Sequence, residues 1–357
     1  IIYEVLDYIK QKMSGLLTPD VQETITGSAQ ILERDGDVEQ IKGLVDEAMK
    51  AGTERNLGHD YLEDFEERYS ETARITTATP WDIINELMQG GLGQGELGVV
   101  VAPAGIGKSW VLSAMGAYAI SQGKNVVHYT LELNESYVGL RYDSIFSGVE
   151  GQNLMYHKEE VLEKIEKVEG ELTIKYYPTR SCTVNTLSAH IKKATSFGAN
   201  VDMILVDYAD IMRDVGKSTE MRHQLGNIYE DLRGLAGEMQ IPIWTASQAN
   251  RSALDEDVID ASKVAESYAK VMTADFVISV SRKIEDKIAN TGRFHVIKNR
   301  FGPDGLTYPA KINTNIGKIE LFESTSTQGK EVQSKIKSRD NQTKQMLSAR
   351  YDDLMNE

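Results

Sequence analysis

Leu97-Gly98-Val99-Val100-Val101-Ala102-Pro103-Ala104-Gly105-Ile106-Gly107-Lys108-Ser109 runs from an apolar stretch through a Gly-rich turn into the helical stretch Trp110–Ser121. A turn of this composition exposes backbone N–H groups to phosphate. Lys108 reaches the β- and γ-phosphates, and the Ser109 hydroxyl suits Mg²⁺. The helix N-terminus that follows adds positive potential at the same point. Ala104, Gly105, Ile106, Gly107, Lys108, Ser109 and Trp110 are therefore the candidate nucleotide-binding residues, for ATP or another NTP with Mg²⁺. Ala102 stands where such loops usually carry their first glycine. The departure is mild, because the backbone demands of the turn fall mainly on Gly105 and Gly107.

Outward from this loop, short apolar runs alternate with helical stretches. Val126–Leu131, Met203–Val206, Ile243–Ala246 and Phe276–Val280 read as strands, and Leu187–Ser196 and Leu225–Met239 read as helices. Alternation of this kind predicts an α/β fold with a mostly parallel sheet covered by helices on both faces. Strands buried on both faces read as continuous apolar runs. Thr291–Ile297, Leu306–Ile312 and Lys318–Phe322 predict a meander at one edge. From Ser324 to Arg339 the polar composition predicts a flexible segment, and Gln342–Asn356 a terminal helix.

Four further stretches carry candidate chemistry. Met203-Ile204-Leu205-Val206-Asp207 is a buried strand ending in a carboxylate, which can hold Mg²⁺ through water. Tyr129-Thr130-Leu131-Glu132 ends in a second carboxylate. At the carboxyl ends of parallel strands, where ligands bind, Glu132 can orient or deprotonate an attacking water. Ile243-Trp244-Thr245-Ala246-Ser247-Gln248 places an amide at a third strand end, suited to sensing a γ-phosphate. Asn250 and Arg251 open the loop that follows. In Ile297-Lys298-Asn299-Arg300-Phe301-Gly302 two cations are spaced i, i+2 at a strand tip and so face one way. They suit a phosphate grip that stabilises transition-state charge.

The N-terminal region reads differently. Val5, Leu6, Ile9 and Met13 give helical spacing to Tyr3–Leu17, and Ile41, Leu44, Val45 and Ala48 to Asp37–Ala51. Tyr61–Tyr69 reads as a short, highly charged helix. Residues 1–79 hold 17 acidic against 8 basic side chains, and the 357-residue chain has a net charge of −15. That charge disfavours DNA binding over the whole outer surface but leaves room for a small basic channel. The single Cys182 forms no internal disulfide and no zinc site, which suits a reducing compartment. No run approaches the roughly 18 apolar residues of a membrane helix. The chain begins Ile1-Ile2, which suggests that an N-terminal piece has been removed or left out. The expected organisation is a helical region and linker over 1–75, a catalytic domain over 76–325 and a polar tail over 326–357.

The ordered set of these motifs resembles the DnaB-type hexameric replicative helicases, most closely those of T4-like bacteriophages, over about residues 76–322. Gly90-Gly91-Leu92-Gly93-Gln94-Gly95-Glu96-Leu97, Tyr177-Pro178-Thr179, Val206-Asp207-Tyr208, Ser247-Gln248 and Ala265-Glu266-Ser267 with Thr273-Ala274-Asp275 carry the resemblance alongside the phosphate loop and the Lys298–Gly302 tip. It implies a RecA-like core in a homo-hexameric ring that hydrolyses ATP, moves 5′–3′ on single-stranded DNA at a phage replication fork and works in the host cytoplasm. Lys108, Ser109 and Asp207 would bind nucleotide and metal, Glu132 would be the catalytic base, and Gln248 the γ-phosphate sensor. Arg300 would be an arginine finger offered in trans, with Lys298 beside it. Loops over 212–224 and 250–268 would line the channel, making Arg213, Lys217, Arg222, Asn250, Arg251, Lys263, Glu266 and Ser267 DNA-binding candidates. Primase, a helicase loader and polymerase are the implied protein partners. Bacterial members often carry Arg before the Glu266 position and Gly two residues after it, where this chain has Ala265 and Tyr268, so its channel loop is less basic. The Lys298–Gly302 stretch also resembles RadA-type recombination ATPases, but one cysteine and a short polar tail do not fit that family's zinc module and C-terminal domain. A third reading is an ATP-switched ring assembly protein that does not translocate.

Overall fold

The computed structural model describes residues 61–69, 74–216, 220–254, 256–264 and 269–336. Contacts divide the chain into two compact units, 1–73 and 74–357. The expected helices Tyr3–Leu17, Asp37–Ala51 and Gln342–Asn356 lie outside the described residues. In the first unit the helix expected over Tyr61–Tyr69 is confined to Phe65–Arg68. The rest is turn, closed by the Arg68 guanidinium 4.5 Å from the Tyr61 ring centre.

The second unit runs β1 (Thr76–Thr77), α1 (Asp82–Leu87), β2 (Leu92–Gly93), β3 (Leu97–Ala102), α2 (Lys108–Ser121), β4 (Val126–Thr130), α3 (Glu135–Ser147), α4 (Lys158–Ile165), β5 (Leu172–Tyr176), α5 (Val184–Ser196), β6 (Met203–Asp207), α6 (Met221–Met239), β7 (Ile243–Gln248), α7 (Ala269–Thr273), β8 (Phe276–Ser281), α8 (Ile284–Ala289), β9 (Thr291–Asn299), β10 (Thr307–Asn313) and β11 (Lys318–Leu321). Nine strands form one sheet in the order β11-β10-β9-β8-β3-β7-β6-β4-β5. β3 to β8 pair in parallel, and β9, β10 and β11 form the antiparallel meander expected at one edge.

Each parallel strand feeds two cores. In β3, Val100 and Ala102 join the core on one face, while Leu97, Val99 and Val101 join the core on the other. This is period-2 alternation with both faces apolar. α2 is buried almost all round, from Val111 through Ala117 to Ile120, as a helix covered on every side must be. α5 and α6 instead bury one stripe each, Leu187 and Ile191 on α5 and Ile228, Leu232 and Leu235 on α6. α5 starts on a capping box at Thr183 and Thr186.

β1, β2, α1, α4, β5, α7 and α8 have no counterpart in the sequence expectation, and two further elements differ from it. α3 was not legible because its buried residues Val138, Tyr142 and Ser144 make a sparse, part-polar stripe; its N-cap, Asn134, accepts from the Tyr137 N–H at 2.9 Å. The segment expected to be flexible after Ser324 is helical over 327–336. Val332 and Ile336, four apart and both buried, dock it. Among the described residues, no helix is long and apolar enough to cross a membrane.

β4 carries a buried histidine with a measurable consequence. His128 is fully buried, with Nδ1 2.9 Å from the Tyr142 hydroxyl. Burial, aided by Arg141, pushes its pKa down from 6.5 to about 3. Below about pH 6.5 the unfolded chain takes up a proton that the folded chain refuses. Stability therefore falls as pH drops from about 6.5 towards 3, by up to about 1.4 kcal/mol per pH unit from this group. Denaturant unfolding at pH 7 and pH 5 is expected to show a shallower pH dependence in His128→Gln than in wild type. Equal slopes would remove His128 from the acid response.

Candidate nucleotide-hydrolysis site

The site lies at the carboxyl rim of the parallel strands, and strand register builds it. Ala102 of β3 is opposite Gln248 of β7, and Thr130 of β4 is opposite Asp207 of β6. The turn after β3, the two residues after Thr130, the end of β6 and the end of β7 thus meet at one edge. A cleft of about 390 Å³ opens there, walled by Ala104, Gly105, Gly107, Lys108, Ser109, Trp110, Glu132 and Gln248. Ile106 points the other way, into the core.

The loop has the shape phosphate binding requires. Gly105 and Gly107 have φ of +71° and +114°, in the region that disfavours any side chain. A Cβ on Gly105 would touch nothing, so open space lies over the turn. The N–H groups of the first turn of α2 have no intrahelical partner and face outward. Lys108 Nζ folds back onto the Ala102 and Pro103 carbonyls at 3.1 and 3.4 Å. Burial lowers its pKa, opposed by Asp207, Glu132 and Asp210.

Asp207 is 1% exposed and neither carboxylate oxygen has a hydrogen-bond partner. Burial raises its pKa; the Ser109 hydroxyl, close to it but outside good hydrogen-bond geometry, lowers it, as do Arg141 and Lys108. A buried carboxylate left this way is costly unless something binds it. A carboxylate and a hydroxyl are hard oxygen donors of the kind Mg²⁺ takes, with water completing its shell. These residues therefore fit the metal that the phosphate loop implies. Glu132 is solvent-exposed at the cleft wall, and Gln248 has its N–H on the Asp210 carboxylate at 3.0 Å.

Lys298 and Arg300 are elsewhere. β9 runs antiparallel to β8 and pairs Asn299 with Phe276, so they sit at the opposite rim of the sheet. Five residue steps of β3 at about 3.3 Å each, about 17 Å, separate that rim from the phosphate loop. Lys298 Nζ donates to the Val271 and Met272 carbonyls at 3.0 and 2.5 Å. Arg300 pairs with Asp275 at 2.6 Å and remains half exposed. The two cations do not converge on one point, because each is held by a different partner. Of the DNA candidates, Arg213 and Arg222 are exposed. The Asn250 N–H donates to the Lys263 carbonyl at 2.9 Å, and Lys263 Nζ pairs with Glu256 at 2.8 Å. Arg251 opens a short 3₁₀ turn. Lys217, Glu266 and Ser267 lie outside the described residues.

Sequence reasoning missed part of the cleft. Arg141 of α3, Tyr208, Arg282, Lys287 and Thr314 also line it. Arg141 Nη1 is buried without a hydrogen-bond partner, and its guanidinium lies 5.2 Å from the Trp110 ring centre. Burial lowers its pKa, opposed by Asp207 and Glu132. A half-buried guanidinium with one unbonded nitrogen, facing Asp207 and Glu132, is placed to meet phosphate charge. Its only local signal was a cation nine residues past Glu132, in a helix the pattern did not reveal. Arg282 had a clearer signal, since it directly follows an apolar strand at the same rim.

Comparisons with known proteins agree with this architecture. Residues 78–317 match the model of the DnaB-like helicase C-terminal domain. The chain is 28% identical over 328 residues to the DnaB-like replicative helicase of Enterobacteria phage T4, covering 85% of this chain and 67% of that protein. It is 25% identical over 173 residues to the replicative DNA helicase DnaB of Helicobacter pylori J99, covering 47% of this chain and 35% of that protein. A stretch of 33 residues is 82% identical to translation initiation factor IF-2 of Pelagibacter ubique, but it covers 9% of this chain and 4% of that factor, too little to imply a shared activity. Among solved structures, one described as an ATPase domain superposes with a TM-score of 0.63 at 16% identity, covering 78% of this chain and 99% of that one. A DnaB-like replicative helicase described with its primase interactions superposes at 0.67 and 17%, covering 85% and 76%. These likenesses show the fold. With the family model matching most of the chain, the protein belongs to the DnaB-like helicases, through their C-terminal domain.

Proposed function

We propose that this chain is the ATP-hydrolysing subunit of a ring that translocates on single-stranded DNA and unwinds duplex at a phage replication fork. The observation that carries the reading is the split of the machinery between two rims. Lys108, Asp207, Glu132 and Gln248 meet at one rim, and Lys298 with Arg300 sit at the other. One subunit thus carries its phosphate loop at one rim and two cations, braced by Asp275 and by the Val271 and Met272 carbonyls, at the other, and a head-to-tail ring of identical subunits would bring the two together. Homo-hexamer formation and 5′–3′ movement follow from the family resemblance. So do a helicase loader and polymerase as partners and an intracellular setting in the host. Primase is proposed because a structural neighbour is described with it. The helical region over 1–75 is proposed as separate from the catalytic domain over 76–325, and the tail over 326–357 as an extension of that domain that begins with the docked helix over 327–336.

In this reading the loop N–H groups and Lys108 hold the ATP phosphates, and Ser109 and Asp207 hold Mg²⁺. The metal, when bound, neutralises phosphate charge. Glu132 orients the attacking water and takes its proton, Gln248 registers the γ-phosphate, and Arg141 adds positive charge from within the same subunit. Arg213, Arg222, Asn250, Arg251 and Lys263, with Lys217, Glu266 and Ser267, are proposed to face DNA.

The test is ATP turnover with and without single-stranded DNA, run beside a mass measurement in the presence of nucleotide. Turnover is expected to rise several-fold with DNA, and the mass to be that of six chains. Turnover that ignores DNA but responds to a protein partner would favour the ATP-switched assembly reading instead.

A further inference from the structure

Four elements converge on one buried carboxylate behind the cleft. Asp210, in the 3₁₀ turn Ala209–Ile211 just after β6, accepts from the Gln248 N–H at 3.0 Å, the Tyr229 hydroxyl at 2.8 Å and the Ser247 hydroxyl at 3.2 Å. Its counter-ion is Lys270 of α7, 2.9 Å away and only 1% exposed. Lys270 Nζ also donates to the Ser247 hydroxyl at 3.2 Å and lies 5.5 Å from the Tyr229 ring centre. An ammonium this deeply buried is costly to desolvate, and an apolar side chain of the same volume would fill the space more cheaply. Its charge is therefore used to hold Asp210, and through Asp210 the backbone of Gln248.

The same short segment holds the finger. Directly after Lys270, the carbonyls of Val271 and Met272 take the two hydrogen bonds from Lys298. Five residues after Lys270, Asp275 binds the Arg300 guanidinium at 2.6 Å, and its carbonyl accepts from the Arg300 N–H at 3.0 Å. Asp275 is itself fixed by the Leu97 N–H at 2.9 Å and by Arg233 at 2.6 Å. Residues 270–275 thus hold Ser247 and Asp210, the neighbours of Gln248, at one end and both outward cations at the other.

We propose that Lys270 is a positioning residue that links a subunit's own ATP site to the finger that subunit offers its neighbour. A shift of Gln248 on meeting the γ-phosphate pulls on Asp210. Asp210 carries Lys270 and α7 with it, and with α7 go the Val271 and Met272 carbonyls and, two residues past its end, the Asp275 carboxylate, which aim Lys298 and Arg300. The path is one hydrogen bond, one ion pair and the chain from Lys270 to Asp275, with no step through solvent. The proposal rests on Gln248 as sensor and Arg300 as finger, and it adds the connection between them.

The experiment uses the full chain. Amide hydrogen exchange over residues 296–301 is followed with and without a non-hydrolysable ATP analogue and Mg²⁺, in wild type, Lys270→Met, Lys270→Arg and the double variant Asp210→Asn/Lys270→Met. Wild type is expected to change its exchange rate over 296–301 about tenfold with nucleotide. Lys270→Met is expected to lose that response while residues 103–110 keep theirs, and the Hill coefficient of ATP hydrolysis is expected to fall towards 1. Lys270→Arg is expected to retain the response. The double variant replaces the ion pair with neutral groups, so it separates folding from coupling. It is expected to recover any melting temperature lost in Lys270→Met and still lack the response. A nucleotide response at 296–301 that survives in Lys270→Met, returns with stability in the double variant, or is missing from wild type would overturn the proposal. Failure of the trans finger is read separately, from an Arg300→Ala protein that stays active.

Discussion

Arg300→Ala is expected to bind ATP as tightly as wild type and to turn it over about 10³-fold more slowly or worse. Arginine fingers are worth about 10³ to 10⁵ in turnover because they meet charge that develops only in the transition state. The substitution should not unfold the protein. Arg300 is half exposed, and its partner Asp275 keeps Arg233 at 2.6 Å and the Leu97 N–H at 2.9 Å, so no buried carboxylate is left alone. The loss should therefore appear in kcat with the melting temperature nearly unchanged. Mixing Arg300→Ala chains with Lys108→Ala chains separates cis from trans. In a mixed ring an intact loop from one variant meets an intact finger from the other, so activity should return in part. A finger acting within its own chain gives no recovery, and that outcome would retire the trans assignment.

Glu132→Gln is expected to cost about 10² to 10⁴ in turnover, the usual worth of a positioned general base, with nucleotide affinity kept. The amide has the carboxylate's shape and can still orient water, but it cannot take a proton. Because Glu132 is exposed at the cleft wall and not packed in the core, stability is expected to change by less than about 0.5 kcal/mol. Measuring ATP affinity and kcat separately decides the matter. A variant that loses affinity and turnover together would make Glu132 a binding residue, and one that keeps turnover would pass the base role to another group.

Local chemistry explains which parts of this site were legible in the sequence. Lys108, Ser109, Asp207 and Gln248 each sit at the end of an apolar run or in a Gly-rich turn, so the element that positions them also announces them. The central parallel strands β3, β4, β6, β7 and β8 were legible because strands buried on both faces leave continuous apolar text; the edge strand β5, only partly buried, was not, and the meander was legible although its strands are only partly buried. Arg141 was not legible, since it reaches the cleft from a helix with a sparse apolar stripe. Lys270 was not legible either. Its burial depends on Asp210, which lies sixty residues earlier in the chain, and no local pattern distinguishes a buried lysine from a solvated one. The 327–336 helix buries only Gly329, Val332 and Ile336, within polar text.

The nine-stranded sheet acts mechanically as a plate. Eight inter-strand spacings of about 4.8 Å make it about 38 Å wide. Two packed cores stiffen it, and α2, buried nearly all round, keys the phosphate loop into it. The phosphate loop leaves β3, the fifth of the nine strands, so it is anchored at the middle of that width and not at a margin. A nucleotide at the cleft is therefore held at the centre of the sheet, with four strands on either side of β3 to spread any displacement of the loop.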